Sequence, residues 1–149
     1  MSKKYTITNI KETIKNMLLE DAEITKILLN GDENTYKNVK GLFNRYIFDY
    51  FNEAGFNTLT SSYIYFDVSK DAPRNQFRVC ISVETHKNAI HRSNDNTNYL
   101  DLLTDKIIAS LVNTFGEDIK HKDKIEDGIS NQFIVRKDNF AERAIVFFL

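Results

Sequence analysis

One cysteine, one proline, five glycines and no tryptophan occur in 149 residues. A lone Cys80 closes no disulfide within the chain and builds no multi-thiolate zinc or iron–sulfur site, a usage that fits a reducing compartment. The shortage of glycine and proline excludes collagen-like, elastic and low-complexity chains, and argues against an enzyme built on several glycine-lined phosphate loops. Charge of one sign is also missing: 20 Lys and Arg stand against 21 Asp and Glu, for a formal net charge of -1. That balance excludes a purely electrostatic grip on nucleic acid. No apolar run approaches the ~20 residues of a membrane span, and Met1 to Thr8 is polar, so neither a transmembrane helix nor a signal peptide is expected. The sequences Gly-x-x-x-x-Gly-Lys-Ser/Thr, Gly-x-Gly-x-x-Gly and Gly-x-Ser-x-Gly are absent, which removes sequence support for phosphate-cradle, dinucleotide and nucleophile-elbow chemistry.

What the chain does have is core-forming material, with 42% hydrophobic residues that include 11 Phe and 7 Tyr. A chain of this length buries roughly 70% of its unfolded surface, so disorder is a poor reading. With no fixed-period repeat and no linker, residues 1–149 read as a single domain.

Ile10, Ile14, Met17 and Leu18 line one helical face, and Asn9 with Glu12 is placed to form a capping box. The spacing predicts a helix from about Asn9 to Glu20. Asp21 caps a second helix carrying Ile24, Ile27 and Leu28, with a stop at Asn30-Gly31. Asp21 and Glu23 at its start would repel phosphates, which argues against a DNA-reading helix pair. Between Asp32 and Asn57, Leu42, Phe43, Tyr46, Ile47, Tyr50 and Phe51 suit helix or strand equally.

Ser62 to Ser69 alternates as a half-buried strand, with Ile64, Phe66 and Val68 on one face and Tyr63, Tyr65 and Asp67 on the other. Phe77 to Thr85 alternates again, Phe77, Val79, Ile81 and Val83 facing inward, and the short polar connection makes an antiparallel hairpin. His86 to Thr97 is polar and reads as an exposed loop. Leu100, Leu103, Ile107, Leu111 and Phe115 form a wide apolar stripe on a helix from about Asn98 to Thr114, ending at Gly116. Glu117 to Asp127 is a charged connection. Two strands, about Ile129 to Arg136 and Glu142 to Phe148, close the chain around a turn at Lys137-Asp138-Asn139, and the last is apolar enough for a doubly covered central strand. The fold class is therefore α+β: a mixed or antiparallel sheet with helices, two of them short and N-terminal and one long and central.

Few residues suggest chemistry. His86 and His91 bracket four residues and would need a further ligand such as Asp95 or Asp101 to hold a metal, whereas loop histidines in solvent or at a contact need nothing more. His121 sits among lysines. Cys80 lies mid-strand, where a packed cysteine is the simpler reading than a thiolate nucleophile. Asp101 and Asp105 share a helix face, as an acid–base pair or as a solvated surface. Lys120, Lys122 and Lys124 interleave with acids and lack aromatic neighbours.

The order of these elements resembles the bacteriophage tail terminator family, also called tail completion or neck proteins. The resemblance runs through the opening Ile-x-x-x-Ile-x-x-x-Leu, then Asp-Ala-Glu-Ile-Thr-Lys-Ile-Leu-Leu, Ser-Tyr-Ile-Tyr-Phe-Asp-Val and Val-Cys-Ile-Ser-Val-Glu-Thr-His86-Lys87. It continues at Tyr99-Leu-Asp101 and at Phe140-Ala-Glu-Arg143-Ala-Ile-Val-Phe. It implies an α+β domain with its helices on one face of the sheet, assembled as a homohexameric ring between tail tube and head connector, without catalysis or cofactor. The implied partners are further copies of the chain, the tube protein, the connector or neck proteins and, in a sheathed tail, the sheath; DNA would pass through the lumen without sequence-specific binding. The implied location is the virion tail or neck, and the host cytoplasm during assembly. Candidate assembly-interface residues are His86, Lys87, His91, Arg92, Tyr99, Asp101 and Arg143.

Overall fold

The computed structural model describes residues 4–29, 39–42, 45–50, 61–91, 96–136 and 139–149. It is an α+β fold in two layers: a mixed five-stranded sheet with helices on one side.

Helix α1 (Ile7–Glu20) starts earlier than the Asn9 cap expected. Thr6 is the cap, taking a bond from the Asn9 amide at 3.1 Å, while Asn9 Oδ1 accepts from the Thr6 amide at 2.8 Å. A threonine hydroxyl and an asparagine side chain thus satisfy two orphan donors reciprocally, one turn before Asn9 and Glu12 could do so. Asp21 caps α2 (Ala22–Leu28) as expected, accepting from Glu23 and Ile24. The proposed stop at Asn30-Gly31 lies outside the described residues. Within the ambiguous stretch, Val39–Leu42 forms a 3-10 turn and Ile47–Phe48 a short strand, β1.

The β2 (Ser62–Asp71) and β3 (Gln76–His86) strands form the expected antiparallel hairpin, turned by Ala72–Arg74 and by Asn75 at φ 48°, a left-handed conformation that asparagine tolerates. The segment from His86 onward is not wholly a loop, because Lys87–Ile90 makes a helical turn, α3, with Ala89 buried. Asn98 caps α4 (Tyr99–Phe115), and Gly116 closes it at φ 44°. The connection that follows ends at Gly128, whose φ is +71° and whose Cβ, if present, would lie 2.5 Å from the Lys120 carbonyl oxygen. Two antiparallel strands, β4 (Ser130–Ile134) and β5 (Phe140–Phe148), complete the chain.

The sheet order is β1-β2-β3-β5-β4, with β1 parallel to β2 and every other pair antiparallel. Helices α1, α2 and α4 cover one face, and Ile64, Phe66, Val79, Ile81, Val83, Ile145 and Phe147 beneath them are fully buried with Ile10, Ile14, Leu18, Leu103, Ile107 and Leu111. The helix layer is tied internally where Ser110 Oγ donates to Asp21 Oδ2 at 2.7 Å and Lys106 pairs with Glu23.

Two expectations about the strands change. β5 is central, but its apolar residues are not covered on both sides: Ala144, Val146 and Phe148, on the face without helices, stay half-exposed. Conversely, β2 is more than half-buried, since Tyr63 and Tyr65 on that same face are 1% exposed in a second small cluster with Phe48 and Phe140. Both differences follow from which residues on the helix-free face meet aromatic neighbours.

This asymmetry sets the cost of core truncation along one strand. Phe147→Ala should lose about 3–5 kcal/mol, whereas Val146→Ala should lose about 1 kcal/mol. Urea unfolding of the two variants checks the contrast, and equal losses would show β5 to be covered on both faces.

Candidate functional site

Because side chains alternate along strands, the candidate residues divide between the two sides of the sheet. Arg143 pairs in register with Val83 and so belongs to the helix side, whereas His86 pairs with Phe140 on the helix-free side.

On the helix side, Asn98 accepts from the Asp101 amide at 3.0 Å and thereby sets Asp101 in the first turn of α4. Arg143 Nε donates to Asp101 Oδ1 at 2.7 Å, bonding β5 to the start of that helix. The Arg143 guanidinium also lies 5.6 Å from the ring centre of Phe133 on β4. The sequence named Asp101 and Arg143 and the fold brings them together; Tyr99, two residues earlier in α4, is half-buried against the core. Asp105 is exposed and has no role in this group.

On the other side, His86 caps α3 by accepting from the Asn88 amide at its Nδ1, and packs edge-on against Phe140. The Lys87 amide donates to the Asn139 carbonyl, fastening α3 to the β4–β5 hairpin, while the Lys87 side chain is exposed. His91 is exposed and its Nδ1 contacts the Thr97 carbonyl at 3.1 Å. Arg92 lies outside the described residues, as does Asp95. His86, His91 and Asp101 thus have three different local partners, and no group of three or more metal-ligating side chains occurs among the described residues.

Sequence reasoning missed a polar group on the helix-free face. Glu84 and Glu142 stand directly opposite each other on β3 and β5. Like charges so placed repel, and two partners offset this: Arg136 forms an ion pair with Glu84, and Ser82 Oγ donates to Glu142 Oε1 at 2.6 Å. Arg136 also spans Phe140, and its side chain and that of Glu84 are 17% and 8% exposed. The available signal was a glutamate out of phase with the inward set in a strand of apolar residues. Next to it, Tyr65 stacks on Phe48 and its phenol is pushed well above the usual tyrosine range by burial and then by the charge of Glu84. Burial likewise raises the Cys80 thiol, moving it away from the thiolate a nucleophile needs.

The third feature is the sheet edge. Among the described residues no strand pairs with the outer side of β4, where Asn131, Gln132 and Phe133 are exposed and Val135 beyond them is 85% exposed. No helix among the described residues is long and apolar enough to cross a membrane. Comparison of the chain with protein-family models, curated proteins and solved structures finds no match.

Two stability predictions follow from the polar groups. Arg136→Ala should destabilise the domain by about 3–5 kcal/mol by stripping a buried carboxylate of its guanidinium, and combining Glu84→Leu with Arg136→Met should restore most of that. Arg143→Ala, which breaks a more exposed pair, should cost about 1 kcal/mol or less. Chemical denaturation of the four proteins tests the ranking.

Tyr5, whose hydroxyl donates to Asp118 at 2.5 Å, is raised like Tyr65, in its case by burial and then by that hydrogen bond. Both phenols favour the neutral form when folded, so the stability they contribute is present below the unfolded tyrosine pKa near 10 and is lost as the pH rises beyond it. Thermal unfolding should therefore show a fall in Tm above about pH 10 that is blunted in the Tyr5→Phe, Tyr65→Phe double variant. An unchanged alkaline slope would refute this assignment.

Proposed function

We propose that the chain is a virion structural protein, a tail terminator that caps the phage tail tube as a homohexameric ring and prepares it for joining to the head connector. The observation that carries this reading is the outer side of β4, unpaired among the described residues, with Phe133 and Val135 exposed and the Asp101–Arg143 pair beside it. An exposed edge strand without charged residues, carrying an exposed Phe133, is a liability in a free monomer and an asset in a chain that meets further chains. The sequence resemblance to the terminator family supports the same reading along most of the chain.

On this reading the partners are neighbouring copies, the tube protein, the connector or neck proteins and, in a sheathed tail, the sheath. DNA crosses the lumen without sequence-specific contacts, in keeping with a net charge of -1. The ring needs no cofactor. Purified protein should form a closed ring of six by mass photometry and negative-stain microscopy, because a heterologous interface closes only at a fixed rotation; rings of another symmetry would overturn the assignment.

A head–tail joining factor of the same size is the second reading, favoured by the same exposed edge. Loss of the gene separates the two. Without a terminator each added tube ring presents the same surface as the last, so tails of abnormal length should accumulate; without a joining factor, tails of normal length should remain unattached. Electron microscopy of the mutant lysate decides, and intact infectious particles would count against both. A third reading, a small α/β enzyme using His86, His91 and Asp101, predicts metal in the purified protein.

A further inference from the structure

We infer that His86 is an acid-sensitive cap: while its imidazole is neutral it holds α3 closed at the end of β3, and protonation of the ring releases α3 from the β4–β5 hairpin. This device is independent of the ring reading, since every group in it belongs to one chain.

A helix start leaves backbone N–H groups without intrahelical partners, and a side-chain oxygen of Ser, Thr, Asp or Asn ordinarily takes one of them. The cap position of α3 carries no such oxygen. His86 stands there at φ -58° and ψ 138°, and its Nδ1 accepts from the Asn88 amide at 3.2 Å. An imidazole nitrogen accepts only when it bears no hydrogen, so the neutral ring must keep its hydrogen on Nε2. The imidazolium has N–H at both positions and offers no acceptor in any rotamer. Acidification therefore sets two donors against each other, and the contribution of the cap is present on the alkaline side of the ring's titration and lost as the pH falls through it.

Four residues are too few for α3 to persist on its own hydrogen bonds, so its fixings decide whether it stays formed. Ala89 is buried and Ile90 packs against the core, while the Lys87 amide donates to the Asn139 carbonyl at 2.8 Å. The His86 ring is itself held edge-on to Phe140, 5.2 Å between centres. Opening of α3 breaks the Lys87–Asn139 link and so detaches the end of β3 from the hairpin.

His91, at the other end of α3, has the opposite requirement. Its Nδ1 lies 3.1 Å from the Thr97 carbonyl oxygen, which can only accept, so this nitrogen bears a hydrogen in the neutral and the charged ring alike. Protonating His91 leaves its contact intact, and acid acts through His86. The charged and titratable groups around the His86 ring are Glu84 and Lys87 on its own segment, Glu142 on β5, Arg136 beyond β4 and Tyr63 on β2. Glu84 is paired with Arg136, Glu142 accepts from Ser82, and the Lys87 side chain is exposed. Asp101, on the helix α4 that α3 touches, is held by Arg143 on the other side of the sheet.

Nitrogen-15 NMR of the histidine rings and amide hydrogen exchange of the full chain test the cap. At about pH 8, above the range where histidine ordinarily titrates, the hydrogen should be on Nε2 in His86 and on Nδ1 in His91. Between about pH 8 and about pH 5, the protection of the Lys87 and Asn88 amides, corrected for the intrinsic effect of pH on exchange, should fall. The expected loss is about fivefold, as for removal of an ordinary N-cap. His86→Asn supplies an oxygen that does not titrate and should stay protected at both pH values. His86→Phe keeps a ring against Phe140 without an acceptor and should be unprotected at both, and His91→Gln should retain the wild-type pH dependence. A hydrogen on Nδ1 of His86 at the alkaline pH would overturn the proposal, as would constant protection in the wild-type chain or an undiminished pH dependence in His86→Asn.

Discussion

Burial of one face of the β2–β3–β5 sheet under α1, α2 and α4 is the constraint on which the other features depend. Ile64, Phe66 and Val68 on β2, Val79, Ile81 and Val83 on β3, and Ile145 and Phe147 on β5 must all point to the same side. Since strand side chains alternate, a slip of one residue in any strand would send its whole set to solvent, so the register is strongly determined. That same register puts Arg143 on the helix side within reach of Asp101, and Glu84 opposite Glu142 on the other side. Neither pairing is adjustable independently of the core.

The helix-free face is organised differently. At its β1 and β2 end, Phe48, Tyr63, Tyr65 and Phe140 make an aromatic cluster, with Tyr46 stacked on Tyr63 and Phe48 on Tyr65. Towards the middle the face becomes polar, with the Glu84–Arg136 pair and the Ser82–Glu142 hydrogen bond. A buried ion pair contributes little net stability over an apolar alternative, because both charges lose water. Here it has a positional consequence: Arg136 stands two residues beyond β4 and is anchored to β3 across Phe140, so the end of the edge strand is held against the sheet.

The anchoring bears on the proposed ring, because an edge strand is useful as a template only when its backbone is held in place. β4 is bonded to β5 along its inner side, its end is fixed by Arg136, and Phe133 lies under Arg143, which is in turn held by Asp101 on α4. The exposed edge is therefore part of the rigid sheet. The residues singled out by the resemblance serve this arrangement in different ways: Asp101 and Arg143 brace the edge from the helix side, while His86 and Lys87 close the turn that follows β3.

The sequence by itself determined the α+β class, the two N-terminal helices with Asp21 between them, the hairpin of β2 and β3, the long helix α4 with Asn98 and Gly116 at its ends, and the closing pair of strands. These are local properties: periodicity, caps and turn residues act within a few positions of one another and need no distant partner. The start of α1 was misplaced because Thr6 and Asn9 form a less common box than Asn9 and Glu12 would suggest. Only the tertiary structure decided that Arg143 meets Asp101, that Arg136 reaches Glu84, that β5 lies between β3 and β4, and that β4 is the outer strand among the described residues. Each of these depends on which strands become neighbours across tens of residues, and a pattern of alternation states which face a residue takes without stating what will stand opposite it.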